Sequence, residues 1–266
     1  MYPLQQIPSE AQIKKLVRKI LFGVHMHCPR CKSRKVVKSE ERYRCKQCRR
    51  PFSLTSHTWL SNMKFSWQTF YAILWSWLNN ISIQQTIALR GVSEVSIRDW
   101  YEKFRVNIPD KGLLAPFEGG IIQMDEAYFK GISLIAAKDV IERKVRMRVV
   151  ARASVAREHA LGFITTYVPP SSLLCTDGSG IYRGIERYWP VRHQKDIHKK
   201  WEFGVTSEIE GMFGVFRTFV RRKYHHVTRS KFPFVVAEFQ AKFNHPEMFQ
   251  NPQQYLTNSL HLVPTR

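Results

Sequence analysis

Cys28-Pro29-Arg30-Cys31 and Cys45-Lys46-Gln47-Cys48 place two C-x-x-C knuckles in one short basic segment. That spacing lets four thiolates surround one Zn2+ tetrahedrally, and a metal held this way replaces the apolar core that so small a segment lacks. A closed four-cysteine site is structural and leaves no position open for a reaction. The other chemistry-bearing residues are acids. Asp125 stands inside the apolar run 121–129, between Gly119-Gly120 and Lys130-Gly131. A carboxylate in a buried strand needs a cation, a hydrogen-bond network or a metal, because burying it alone costs several kcal/mol. Asp177 ends a second apolar run, 173–176, and Glu210 follows Ser207 at the start of a helical pattern. Three hard oxygen donors brought together would suit Mg2+ or Mn2+.

The elements that must position these residues follow from periodicity and punctuation. Residues 1–25 read as a basic helix with Ser9 as N-cap and Ile13, Leu16, Val17, Ile20 and Leu21 at helical spacing. Residues 35–38 and 42–44 alternate like a hairpin between the two knuckles, as in a zinc ribbon. Three helices follow between residues 66 and 107, capped by Ser66, by Ser82 in a capping box with Gln85, and by Ser93. The last two, joined through Gly91-Val92-Ser93, have the helix-turn-helix pattern. Arg98, Lys103 and Arg105 lie on or near its second helix, where phosphate or base contacts are made. Packing alone also accounts for these helices, with Trp67, Trp75 and Trp77 as core.

After the Pro- and Gly-containing linker 109–120 the pattern changes to strands: 121–129, 132–140 and 145–153 as a meander. Ser154 caps a helix over 155–167, which Pro169-Pro170 stop. A fourth strand covers 173–176, and helices are expected over 181–188 and 206–222 with a basic connection, 192–200, between them. Three strands, a helix, a strand and a helix give an α/β fold of ribonuclease-H-like order with a mixed sheet. In that order the first and fourth strands are neighbours, so Asp125 and Asp177 approach each other and Glu210 arrives from the helix. Two divalent ions about 4 Å apart in such a site can activate a water or a 3′-hydroxyl and stabilise the leaving oxygen of a phosphoryl displacement. Simpler readings stand beside these. Asp125 could pair with an arginine, Asp177-Gly178 could be turn chemistry, and Ser207 with Glu210 could form a capping box. Glu208 is the reserve for the third ligand. Strand alternation puts Glu126 on the face opposite Asp125, and Cys175 reads as a small buried hydrophobe.

The chain carries 42 Lys and Arg against 21 Asp and Glu, a formal net charge of +21. Such a charge repels itself in a compact fold and points to an anionic partner, nucleic acid above all. The basic residues run along the whole chain and do not line one amphipathic helix, which argues against a membrane surface. The longest apolar run, 69–78, is too short to span a bilayer, and residues 1–21 are interrupted by Lys14, Lys15, Arg18 and Lys19, so no signal peptide is expected. Cysteines in two tight pairs suit a reducing compartment, and the expected location is the cytoplasm, with the nucleoid.

At CPRC, CKQC, MDEAYFKG, TDGSGIY, IEGMFGVFR and RKYHHV, in that order, the chain resembles the zinc-ribbon DDE transposases of bacterial insertion sequences, related to the Merlin transposons. The resemblance implies Asp125, Asp177 and Glu210 as ligands of catalytic Mg2+ or Mn2+, a structural Zn2+ on Cys28, Cys31, Cys45 and Cys48, and Arg217 beside DNA phosphate. It implies a DNA transposase that binds terminal inverted repeats, cleaves and joins double-stranded DNA, and works as a homodimer or larger homo-oligomer. The domains expected are a basic helix (1–25), a zinc ribbon (26–60), a helix-turn-helix domain (61–112), a ribonuclease-H-like catalytic domain (113–246) and a C-terminal tail (247–266). Where the family commonly has Asn before the glutamate and Phe-Trp after it, this chain has Ser207 and Met212-Phe213. A domesticated DNA-binding regulator without activity, and a ribonuclease-H-like nuclease without strand transfer, are the alternatives.

Overall fold

The computed structural model describes residues 7–129, 131–150, 154–195 and 206–263. The chain divides into two compact units, 1–109 with 247–266 and 110–246.

In the first unit, helix α1 (Glu10–Phe22) begins at Ser9, whose hydroxyl accepts from the Gln12 amide while Gln12 returns the bond in a capping box. Its buried stripe is Ile13, Val17, Leu21 and Phe22. Strands β1 (Val36–Ser39), β2 (Arg42–Cys45) and β3 (Pro51–Phe52) form an antiparallel sheet around the cysteines. Helices α2 (Trp67–Leu78), α3 (Ile83–Arg90) and α4 (Glu94–Val106) start at the three serines expected, Ser66, Ser82 and Ser93. Gly91 closes α3 in the left-handed conformation (φ 63°), a turn that glycine adopts without strain. Trp67, Trp75 and Trp77 are all buried. The segment read as a tail contains a further helix, Pro252–Ser259, with Tyr255 and Leu256 fully buried and the Tyr255 hydroxyl donating to the Phe104 carbonyl at 2.6 Å. Its short length and mixed composition hid it from periodicity.

The second unit holds a five-stranded sheet: β4 (Ile121–Phe129), β5 (Ile132–Asp139), β6 (Val145–Val150), β7 (Leu173–Thr176) and β8 (Arg192–Lys195), in the order β6-β5-β4-β7-β8. The first three are antiparallel, whereas β7 runs parallel to β4 and β8 parallel to β7. This is the ribonuclease-H-like mixed sheet. Helix α5 (Arg157–Tyr167) packs with Ile122, Met124, Ile135 and Leu174 in one core layer. On the other face, α6 (Ser207–Tyr224) and α7 (Phe232–Asn244) interlock through Phe216, Phe219 and Phe239. Every residue of β5 is buried, as a strand covered on both faces requires. The helix that carries Pro252–Ser259 in the first unit is α8.

Several expectations need correction. The helix expected at 155–167 starts only at Arg157, with Ala156 and not Ser154 at the N-cap. The expected helix 181–188 is two 3-10 turns, Gly180–Tyr182 and Ile185–Arg187, because Gly184 between them takes φ 66° and breaks the helical path. Part of the connection expected at 192–200 is strand β8, which the polar string RHQK concealed. Residues 196–200 and 151–153 lie outside the described residues.

Candidate functional site

The register of β4 against β7 pairs Ile121 with Leu173 and Gln123 with Cys175. Two residues further along both strands are Asp125 and Asp177, so neighbouring parallel strands deliver both carboxylates to the same end of the sheet. β7 stops at Thr176, and beyond Gln123 the β7 side of β4 is open. Through that opening the Glu126 carboxylate also arrives, although it starts from the other face of the strand. Oxygens of Asp125, Glu126 and Asp177 lie within 4.8 Å of one another, each side chain half-buried. Three hard donors at that separation fit a divalent cation, and three carboxylates this close repel one another without one.

Their surroundings bear this out. Burial, reinforced by the charges of Glu126, Asp177 and Glu210, pushes the Asp125 carboxyl up to about 7, against the Glu126 amide that donates to it at 2.8 Å. Burial likewise raises Glu126, while the Tyr182 hydroxyl, itself buried, donates to it at 2.7 Å. Asp177 accepts from the Ser179 amide at 3.0 Å, so its turn chemistry coexists with its place in the group. Next to it, Thr176 shares a hydrogen bond with Nε2 of His193 on β8, at 2.8 Å, which ties the end of β7 to its neighbour.

Glu210 takes a different position. It sits exposed in the first turn of α6, close enough for its charge to raise Asp125, but it is not among the three acids whose oxygens converge. The alternative reading, a capping box of Ser207 with Glu210, does not form: Thr206 is the N-cap, and its hydroxyl donates to Glu210 Oε1 at 3.1 Å. Glu208, the reserve ligand, is turned away to an ion pair with Lys138 of β5, which holds its carboxyl below the usual range. Sequence reasoning missed what sets this helix in place. Gln123, buried on β4, accepts through Oε1 from the amides of Glu208 (2.9 Å) and Ile209 (3.0 Å), so a strand side chain caps the helix. The only available signal was an amide in the middle of an apolar run.

Arg217 is exposed, with its guanidinium 5.7 Å from the Phe129 ring at the end of β4. In the first unit Arg98 is exposed and paired with Glu94 (Nε–Oε1 2.8 Å), Lys103 lies 4.5 Å over Trp100, and Arg105 donates to the Tyr101 carbonyl. The four cysteines converge within 4.8 Å, with Cys28 and Cys48 sulfurs 3.6 Å apart and Cys31 and Cys45 3.5 Å apart. The Cys48 amide leads in lowering Cys45 to about 6, whereas for Cys31 burial and the neighbouring sulfurs outweigh the Ser33 amide and push it up to about 11. Four sulfurs gathered this closely suit a Zn2+, which would take them as thiolates.

Residues 8–51 match the transposase zinc-ribbon domain family, and residues 132–244 match the ISXO2-like transposase domain family. The chain belongs to the zinc-ribbon DDE transposases. Together the two matches span well over half of the transposase, and Asp177 and Glu210 fall within the second, with Asp125 just before it. It is a DNA transposase of the DDE type. No curated protein sequence matches the chain. Solved structures with some likeness include a chain of the simian T-cell lymphotropic virus intasome in complex with the PP2A regulatory subunit B56 gamma. It is 12% identical over 70% of the transposase and 74% of that chain, with a TM-score of 0.40. The catalytic core domain of BIV integrase is 11% identical over 44% of the transposase and 78% of that chain, with a TM-score of 0.34. Among the described residues, no helix is long and apolar enough to cross a membrane.

Proposed function

We propose that the transposase binds the terminal inverted repeats of an insertion sequence, cuts at the element's ends and joins them to target DNA, using one acidic site for both steps. The observation that carries this reading is the convergence of Asp125, Glu126 and Asp177 at the open edge between β4 and β7 in a DDE transposase. Asp125 and Asp177 are the ligands, with Glu210 as the third acid on the facing helix turn. Mg2+ or Mn2+ held there supplies activation of a water or 3′-hydroxyl and stabilisation of the leaving oxygen. Gln123 and Lys138 hold the start of α6, and with it Glu210, against the strands. Tyr182 orients Glu126 at the margin of the site. Arg217 contacts substrate phosphate, and its bidentate guanidinium suits that role.

In the first unit a structural Zn2+ on Cys28, Cys31, Cys45 and Cys48 holds the ribbon. Helix α4 presents Arg98, Lys103 and Arg105 to double-stranded DNA. Catalysis on paired ends calls for a homodimer or larger assembly, acting in the cytoplasm at the nucleoid. The test is a cleavage and joining assay on DNA from the element's ends with Mg2+ or Mn2+, comparing wild type with Asp177→Asn. Joined products that vanish in the variant are expected. Cleaved but never joined products from the wild type would make it a nuclease, and specific binding with no cleavage would make it a regulator.

A further inference from the structure

The sequence gives α1 a buried stripe at Ile13, Val17 and Leu21, and the neighbouring face carries Lys14, Lys15 and Arg18. Lys38 of β1 comes toward the same space, and together they line a cleft of about 380 Å³ within the first unit. Four cations meet one acid there. Glu41 pairs with Lys14 at 2.9 Å, with its own side chain 83% exposed. An exposed pair of this kind holds weakly and yields to a stronger anion. Each aromatic residue in the cleft wall already packs on another ring. Tyr43 is stacked on Phe52 at 5.5 Å, Trp67 stands edge-on to Phe70, and Phe65 packs on Trp100. The dominant chemistry of the cleft is positive charge carried on a helix and a strand, which suits phosphates spaced along a duplex.

We propose that this cleft is a sequence-independent clamp for the phosphodiester backbone of double-stranded DNA, with Glu41 as an internal competitor that occupies Lys14 until phosphate displaces it. The proposal deepens, and rests on, the reading that the first unit engages DNA. It assigns that unit a contact apart from α4, one that adds affinity without sequence preference.

The test uses the full chain and two duplexes, one of mixed sequence and one from the element's ends, with binding followed by fluorescence anisotropy across a salt series. Lys15→Gln with Arg18→Gln should weaken binding to both duplexes by the same factor and lower the slope of log affinity against log salt by about two, one per lost contact. Glu41→Gln should do the opposite: tighter binding to both duplexes and a slope raised by about one, as Lys14 is released. Misfolding does not produce tighter binding, so this arm is independent of any folding defect in the first. If the wild type binds duplex but neither variant changes the slope, the clamp is wrong and the transposase reading stands. A loss confined to the end sequence would overturn the clamp in favour of sequence readout. A larger loss on single strands than on duplex would overturn it in favour of single-strand capture. Wild type that binds neither duplex would overturn the DNA reading itself.

Discussion

At the residue scale, Asp125 gathers the electrostatic tension of the site. Its carboxyl, raised to about 7 chiefly by burial, keeps a proton that the unfolded chain gives up near pH 4. The sign follows directly. Between about pH 4 and 7 the folded state binds more protons than the unfolded one, so this group makes the metal-free protein less stable as pH rises through that window. A divalent cation competes for the same oxygens, so its affinity should rise up to about tenfold per pH unit below about 7 and level off above it. Titration calorimetry with Mn2+ across that range checks this, and a pH-independent affinity would remove Asp125 from the ligands. Asp125→Asn preserves shape while removing the charge, and it is expected to abolish metal-dependent cleavage, to flatten the pH dependence and to leave DNA binding intact. Cleavage retained at wild-type rate by a folded Asp125→Asn variant would contradict the assignment.

At the element scale, the position of α6 is decided by one strand amide. Gln123→Leu keeps the volume but leaves the Glu208 and Ile209 amides without their shared acceptor, a loss of about 1–3 kcal/mol. If Gln123 positions Glu210, cleavage should also fall by about 10- to 100-fold, with a higher Mn2+ concentration for half-maximal rate. Gln123→Glu, which still accepts both bonds, should recover most of the stability. Loss of stability with an unchanged metal requirement would reduce Gln123 to a structural cap. The ribbon gives a second prediction: Cys28→Ser should lose bound zinc and end recognition, whereas retention of both would refute the four-cysteine site. The ribbon, the serine caps of α1 to α4 and strands β4 and β7 were legible because each is written locally, in Cys spacing, in a cap and its partner three residues on, or in an apolar run between glycines. Asp125 beside Asp177 then followed from strand order. The Gln123 cap was not legible, because its partners are 85 and 86 positions away. Glu126 was set aside because alternation puts it on the face opposite Asp125; what alternation does not tell is that its longer side chain still brings a carboxylate oxygen to Asp125 and Asp177, where β4 no longer pairs with β7. Strand β8 escaped because RHQK, at the sheet edge and largely exposed, has no apolar face to display.

At the scale of the whole molecule, the net charge of +21 sets two opposing responses to salt. Like charges raise the free energy of the compact state, and an ionic strength of about 0.1 M, with a screening length of about 10 Å, relieves part of that repulsion. The same screening, with the loss of counterion release, weakens attraction to a polyanion. Melting temperature without DNA should therefore rise as salt is added, by a few degrees if about 1 kcal/mol of repulsion is screened, while affinity for duplex DNA falls over the same range. Differential scanning fluorimetry and a binding isotherm at matched salt concentrations test the pair together. A melting temperature that fell with salt would mean that exposed ion pairs such as Lys14–Glu41 and Arg98–Glu94 outweigh the excess of cations. Opposite slopes would mean that the protein is destabilised by the charge that binds its substrate. Saturating duplex should then raise the melting temperature most at low salt, where repulsion and affinity are both greatest.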